Sequence, residues 1–237
     1  MSKVLSDTVN LEPKMTCVTG QTSEPMINHQ AYRHAEHTMQ ALIKENQQLL
    51  AKIARLEYQL NHDGLTGLNT REYGMLILEQ WLQSQSTSPL AIVFIDLDNL
   101  KMINDQFGHA IGDRALAHIG RILKEISNDD HDIARFGGDE FVALLPGYDD
   151  IKAQRWCTAL EQRLSGSPFT WVDNTPFHVT VSAGVYIHQN TPKRDASHNP
   201  TAHSLIELAD QSMYQVKKFK KHHQPVTDEN GYSVINE

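Results

Sequence analysis

A glycine pair followed at once by two carboxylates, set between two short apolar runs, constrains this chain more than any other feature: Arg135-Phe136-Gly137-Gly138-Asp139-Glu140-Phe141. Upstream, Asp132 to Phe136 is short, apolar and partly β-branched, and downstream Phe141-Val142-Ala143-Leu144-Leu145 continues until Pro146-Gly147 stops it. The pattern predicts a β-hairpin. Glycines at its tip tolerate the positive φ of a tight turn and put no side chain between backbone and ligand. Asp139 and Glu140 then sit side by side on an exposed turn, where they are either simply solvated or share a divalent cation.

A second acidic cluster follows Leu90-Ala91-Ile92-Val93-Phe94-Ile95, a continuous apolar run of strand length that is too short to span a membrane. It predicts a central strand buried on both faces. Asp96 still belongs to that strand, so the sheet fixes its backbone, as a metal ligand requires. Asp98 or Asn99 suits the plainer role of capping the next helix.

With these residues in place the chain resembles the GGDEF family of diguanylate cyclases. The likeness covers Asp63 to His222 and rests on five ordered motifs: Asp63-Gly64-Leu65-Thr66-Gly67-Leu68 with Arg71; Phe94 to Asp105; Phe107-Gly108-His109 with Gly112-Asp113; Arg135 to Phe141; and Ala209-Asp210 with Met213-Tyr214 and Lys217. The resemblance implies an α+β fold like the palm of nucleotidyl cyclases and polymerases, a mostly antiparallel sheet flanked by helices. It implies condensation of two GTP into cyclic di-GMP, with two Mg²⁺ or Mn²⁺ ions per half-site. A two-metal arrangement spaces its ions by about 3.5–4 Å.

Roles follow from that resemblance position by position. Asp96, Asp139 and the carbonyl of Leu97 would hold the metals, and Glu140 would bind metal or activate the ribose hydroxyl. Asn104 and Asp113 would read the guanine edge, whose N–H donors and O6 acceptor complement an Asp and an Asn. Asp113 is also placed to cap a helix beginning near Arg114. Gly138, Asn99, Leu100 and Lys101 would line the nucleotide, and Lys217 and Lys221 would hold the β- and γ-phosphates. The plainer reading of Lys217 to Lys221 is a solvated cationic helix end. Each domain would carry half an active site, so catalysis requires two of them face to face.

Tyr32, Ala35, Met39, Leu42, Asn46, Leu49, Ile53, Leu56 and Leu60 recur at alternating steps of three and four, a heptad seam over residues 28–60. Asn46 is a lone polar residue at an a position, which favours two parallel strands in register. The alternative is one amphipathic helix packed on its own domain. His29, His34 and His37 fall off the seam, at e, c and f, as an ordinary solvated face.

The domain plan is a disordered tail over 1–27, a coiled-coil helix over 28–60, the catalytic domain over 61–222 and a flexible tail over 223–237. Gln189–His203 suggests a long surface loop. Cys17 and Cys157 are too few for a disulfide framework, and Cys157 shares a helix face with Ala153, Leu160 and Leu164. Without a signal peptide or membrane span, the expectation is a cytoplasmic homodimer. A net charge of −8 disfavours bulk nucleic-acid binding. Phe177, Val179, Val181, Ala183 and Val185 suggest one strand face, and Ala115, Leu116, Ile119, Ile122, Leu123 and Ile126 a helical stripe. Two departures from the family pattern stand out. Thr70 replaces an Asn, which is expected to loosen the turn after the stalk. Asn128-Asp129-Asp130-His131 replaces the Arg-x-x-Asp of the product-inhibition site, so feedback there is expected to be weak or absent.

Overall fold

The computed structural model describes residues 27–84, 86–172, 175–189, 200–223, 226–227 and 233–234. In chain order the elements are α1 (Ile27–Asn61), β1 (Asn69–Thr70), α2 (Arg71–Gln83), β2 (Leu90–Leu97), α3 (Leu100–Phe107), α4 (His109–Ile126), β3 (Asp132–Arg135), β4 (Glu140–Pro146), α5 (Asp150–Ser165), β5 (Thr170–Val172), β6 (Thr175–Phe177), β7 (Val181–His188), α6 (Ala202–His223), β8 (Val226–Thr227) and β9 (Ser233–Val234). Contacts divide the chain into two units, Met1–Lys52 and Ile53–Glu237.

In the second unit the apolar run Leu90 to Ile95 is the middle of a five-stranded sheet of order β1-β3-β4-β2-β7. β2 is antiparallel to both β4 and β7, β3 is antiparallel to β4, and β1 is parallel to β3. All eight residues of β2 are buried. Strand alternation sends its side chains to two cores. Ala91, Val93, Ile95 and Leu97 pack with Ala115, Leu116 and Ile119 of α4 and Trp156 and Leu160 of α5. Leu90, Ile92 and Phe94 pack on the other face with Leu78 of α2 and Leu205, Ala209 and Met213 of α6. Full burial of each such side chain contributes about 1.5–3 kcal/mol, so a sheet covered on both faces is strongly driven.

The predicted hairpin is β3–β4, with Arg135 opposite Phe141. Its glycines do not act as expected. Positive φ occurs among the described glycines only at Gly67, Gly108 and Gly147, so the tip at Gly137-Gly138 turns in ordinary backbone conformations. The expected strand Phe177 to Val185 is split in two, although Phe177, Val179, Val181, Ala183 and Val185 all pack in the first core as read. Phe177 belongs to the separate β5–β6 pair, and β7 starts at Val181, with the Asp98 N–H still donating to the opposed Thr180 carbonyl at 2.9 Å. Cys157 packs against the first core as read, and burial pushes its thiol up to about 12.

Within the expected C-terminal tail, Val226–Thr227 pairs antiparallel with Ser233–Val234. Residues 1–26 of the expected N-terminal tail and residues 190–199 of the expected loop lie outside the described residues. No helix among those described is long and apolar enough to cross a membrane. Along α1 the seam residues Met39, Leu42, Leu49, Ile53, Leu56 and Leu60 are 49–74% exposed. Asn46 donates from its amide back to the Leu42 carbonyl at 3.1 Å.

Candidate active site

Strand register assembles the acidic corner. Asp96 and Glu140 are directly opposite across β2 and β4, and Asp96 faces Ser182 across β2 and β7. Asp96 continues the row Leu90, Ile92, Phe94 and Glu140 the row Val142, Leu144, so both point to the face covered by α2 and α6. The next residue, Asp139, bonds through its carbonyl to the Leu97 N–H at 3.0 Å, fastening the hairpin tip to the end of β2. Asp139 and Glu140 are half-buried rather than exposed.

Asp96 is nearly fully buried and its Oδ1 accepts from the Lys217 ammonium at 2.5 Å. Burial raises the Asp96 pKa, and the charges of Asp139 and Asp98 add to it, against the opposing pull of Lys217. Burial likewise raises Glu140, helped by Asp139, Asp96 and Asp210, with Arg71 opposing. For Lys217 burial acts downward, but the bond and charge of Asp96 with Asp139 and Asp98 make the net shift upward.

The reach of Lys217 depends on a close backbone approach. A Cβ on Gly184 would lie 1.9 Å from the Met213 N atom, so only glycine lets α6 settle on β7 there. Lys217 follows Met213 by one helical turn and so comes down over Asp96. One step further, Lys220 donates to the Val181 carbonyl at 2.6 Å and lies 4.0 Å from Asp98. Lys221 is exposed, with no hydrogen-bond or ion-pair partner among the described residues. Thus Lys217 joins the acidic corner, and Lys221 does not.

Asp98 does not cap α3; its carboxylate accepts from Thr180 Oγ1 at 2.9 Å and Ser182 Oγ at 2.7 Å. Asn99 occupies the cap position in the left-handed region, φ 61° and ψ 27°, with no side-chain cap bond. The first N–H groups of α3 therefore keep anion-binding capacity at Leu100 and Lys101. Asn99 and Lys101 also line an open depression with Met102, Asp105 and Gln106. Asp113 is not a helix cap either: α4 begins at His109, four residues earlier, because the chain turns at Gly108. Asp113 stands exposed next to Gly112, and a Cβ on Gly112 would fall 1.9 Å from Asn104 Oδ1. Glycine at 112 thus lets Asn104 sit against the helix that carries Asp113. Gly138 is exposed, with nothing within 4 Å of a Cβ placed there.

The turn is braced from behind. Arg135 donates from Nε to the Gly137 carbonyl at 3.1 Å and from Nη2 to the Gly138 carbonyl at 2.8 Å, while Nη1 reaches both Asp63 oxygens. Asp63 Oδ1 also accepts from the Thr66 N–H and hydroxyl at 2.8 and 2.6 Å. Thr70 does not leave its turn loose. It caps α2 by accepting from the Tyr73 N–H and donates to the Leu60 carbonyl at 3.2 Å. The Asn128–His131 stretch turns on itself, the Asp130 N–H donating to Asn128 Oδ1 at 3.0 Å. Sequence reasoning quoted Arg71, Arg135 and Asp210 only as motif residues, read Lys220 as part of a solvated helix end, and gave Thr180 and Ser182 no role. Strand parity would have pointed to Ser182, since it lies opposite Asp96.

Asp96, Asp139 and Glu140 offer only hard oxygen donors, the chemistry that suits Mg²⁺ or Mn²⁺ rather than zinc or copper. Among the described residues no group of three His, Cys, Asp or Glu side chains is already gathered into a metal cage. The donor chemistry fits such an ion.

The domain is thus a five-stranded, mostly antiparallel sheet with an acidic end, covered by helices on both faces. The family model described as diguanylate cyclase, GGDEF domain matches residues 60–223, and the chain belongs to the GGDEF family. It is 37% identical over 175 residues to the diguanylate cyclase DgcN of Escherichia coli, covering 71% of this chain and 40% of DgcN. The uncharacterized YhcK of Bacillus subtilis is 31% identical over 176 residues, covering 73% of this chain and 46% of YhcK. The chain therefore spans less than half the length of either relative. Among solved structures, the coiled coil and GGDEF domain of DgcB from Caulobacter crescentus, in complex with c-di-GMP, shares the fold at a TM-score of 0.69 and 20% identity, covering 78% of this chain and 95% of that one. A sensory box/GGDEF family protein from the same species is 31% identical with a TM-score of 0.58, covering 67% and 99%.

Proposed function

We propose that this chain condenses two GTP into cyclic di-GMP and two pyrophosphates. The observation that supports it most directly is the pairing of Asp96 with Glu140 at the sheet's end, on the face where Lys217 descends. In this reading Asp96, Asp139, Glu140 and the Leu97 carbonyl hold Mg²⁺ or Mn²⁺, which when bound supplies charge neutralisation at the phosphates. Asn104 and Asp113 select guanine. The N–H groups at the start of α3, with Gly138 and Lys217, receive the triphosphate. Glu140 accepts the proton of the ribose 3′-hydroxyl as its oxygen bonds to the α-phosphorus of the facing GTP and the bond to pyrophosphate breaks. Repetition in the opposite direction closes the ring.

Each half of that reaction needs a second copy, and the exposed seam of α1 suits a parallel two-stranded coiled coil between copies. Neither the Arg nor the Asp of the product-inhibition pattern stands at Asn128–His131, so this reading carries no feedback through that site. Incubation of the purified chain with GTP and Mg²⁺, followed by nucleotide chromatography, tests the proposal. Cyclic di-GMP should form, and folded Asp139→Ala or Glu140→Ala should form none. Absence of product from the native chain, or normal turnover by either variant, overturns it.

A further inference from the structure

Lys217 already occupies one oxygen of Asp96, the carboxylate that the proposed function gives to a divalent cation. The ammonium sits 2.5 Å from Asp96 Oδ1, and the side chains of the pair are only 28% and 10% exposed. A carboxylate so buried is held in its charged form by a positive partner when no metal is present. The helix carrying that partner is held down on β7 at Gly184, so the ammonium is delivered by the fold rather than by a free surface side chain.

We propose that Lys217 is the resident cation of the metal-free site and passes from Asp96 to the nucleotide's phosphates as metal and nucleotide enter together. This rests on the reading of Asp96 as a metal ligand. A dication arriving alone must evict the ammonium and leave it beside a second, larger positive charge, with Asp96 already engaged. A triphosphate arriving with the metal offers the ammonium new oxygen partners. Metal alone consequently loads poorly. Nucleotide and metal strengthen one another's binding by a common factor, as reciprocity demands, within the usual range of about 5–150-fold. Lys220 serves as an internal comparison, since it is a neighbouring cation that bonds the Val181 carbonyl and approaches Asp98 instead of Asp96.

Binding of Mn²⁺ alone to the full chain, followed by the electron paramagnetic resonance of the free ion, provides the test. Lys217→Met should bind Mn²⁺ about tenfold or more tightly than the native chain, within the coupling range above. Lys217→Arg, which retains a cation, should bind as weakly as the native chain, and Lys220→Met should change affinity little. Asp96→Asn should remove the gain when combined with Lys217→Met. Unchanged or weaker Mn²⁺ binding by Lys217→Met overturns the proposal, as does an equal gain in Lys220→Met. If the native chain makes cyclic di-GMP while those results go against it, only the transfer is wrong. If it makes none, the functional reading fails as well.

Discussion

Asp63 and Arg135, 72 residues apart in sequence, meet with Nη1 of the arginine 3.2 Å from both carboxylate oxygens. The remaining nitrogens of the same guanidinium hold the Gly137 and Gly138 carbonyls. One planar group thus connects the turn that follows α1 to the turn that carries Asp139 and Glu140.

Arg135→Met should therefore reduce turnover together with stability. Bonds to charged groups contribute about 1.5–3 kcal/mol each at most, and partial exposure of this pair places the expected loss at the lower end. Arg135→Lys should resemble Arg135→Met, because an ammonium cannot span two carbonyl oxygens and both oxygens of Asp63 as the guanidinium fork does. Urea denaturation and initial rates check both. A fully active Arg135→Lys would show that the brace does not position the turn.

Gly184→Ala should destabilise the domain by about 1–3 kcal/mol, the usual cost of overpacking, since the obstructing atom is backbone of α6 rather than a movable side chain. Alanine at Gly138 meets nothing within 4 Å and is the control for bulk alone. Equal denaturation midpoints for Gly184→Ala and the native chain would contradict the close approach.

Much of this arrangement was legible in the sequence because it depends on short-range rules. Leu90 to Ile95 is an unbroken apolar run, and a run of that length has few destinations besides the middle of a sheet. Asp96 follows it without a break and inherits its rigidity. What the sequence did not disclose depends on contacts between distant segments. Nothing near Lys217 says that Gly184 will bring its helix down over β2, and nothing near Asp98 says that Thr180 and Ser182 will claim its carboxylate. The alternative reading of Asp113 as a cap failed because the helix start was set by the turn at Gly108, five residues upstream of where local propensity placed it.

The raised pKa values of Asp96 and Glu140 make a signed prediction for stability. Each binds its proton more tightly folded than unfolded, so between its ordinary and its raised value the folded state holds more protons. Stability should rise as pH falls through that window. Asp63 acts oppositely. Burial would raise it, but its bonds from Thr66 and the Arg135 charge lower it, so its contribution is present above the ordinary carboxylate value and lost as pH falls through the lowered one. Glu140→Gln should flatten the rise, and Asp63→Asn should flatten the acid-side loss. Denaturation midpoints measured across the acid range in metal-free buffer test the two slopes separately.

Removing residues 1–60 should lower specific activity steeply in dilute protein and far less in concentrated protein. A tethered partner reaches an effective concentration of about millimolar, without contributing a catalytic group. Charged residues at Leu49 and Ile53, both about half exposed on α1, should mimic the truncation. Constant specific activity over a wide dilution series would show that α1 serves something else.

Register gives the chain an arithmetic of insertions. Asp96, Glu140 and Ser182 carry even numbers and meet in one row across β4, β2 and β7. Adding one residue inside any of these strands would turn everything beyond it to the opposite face, moving a carboxylate into the apolar layer and a large aliphatic side chain out of it. Adding two would restore the facing and only lengthen the strand. Length variation inside these three strands is therefore counted in pairs.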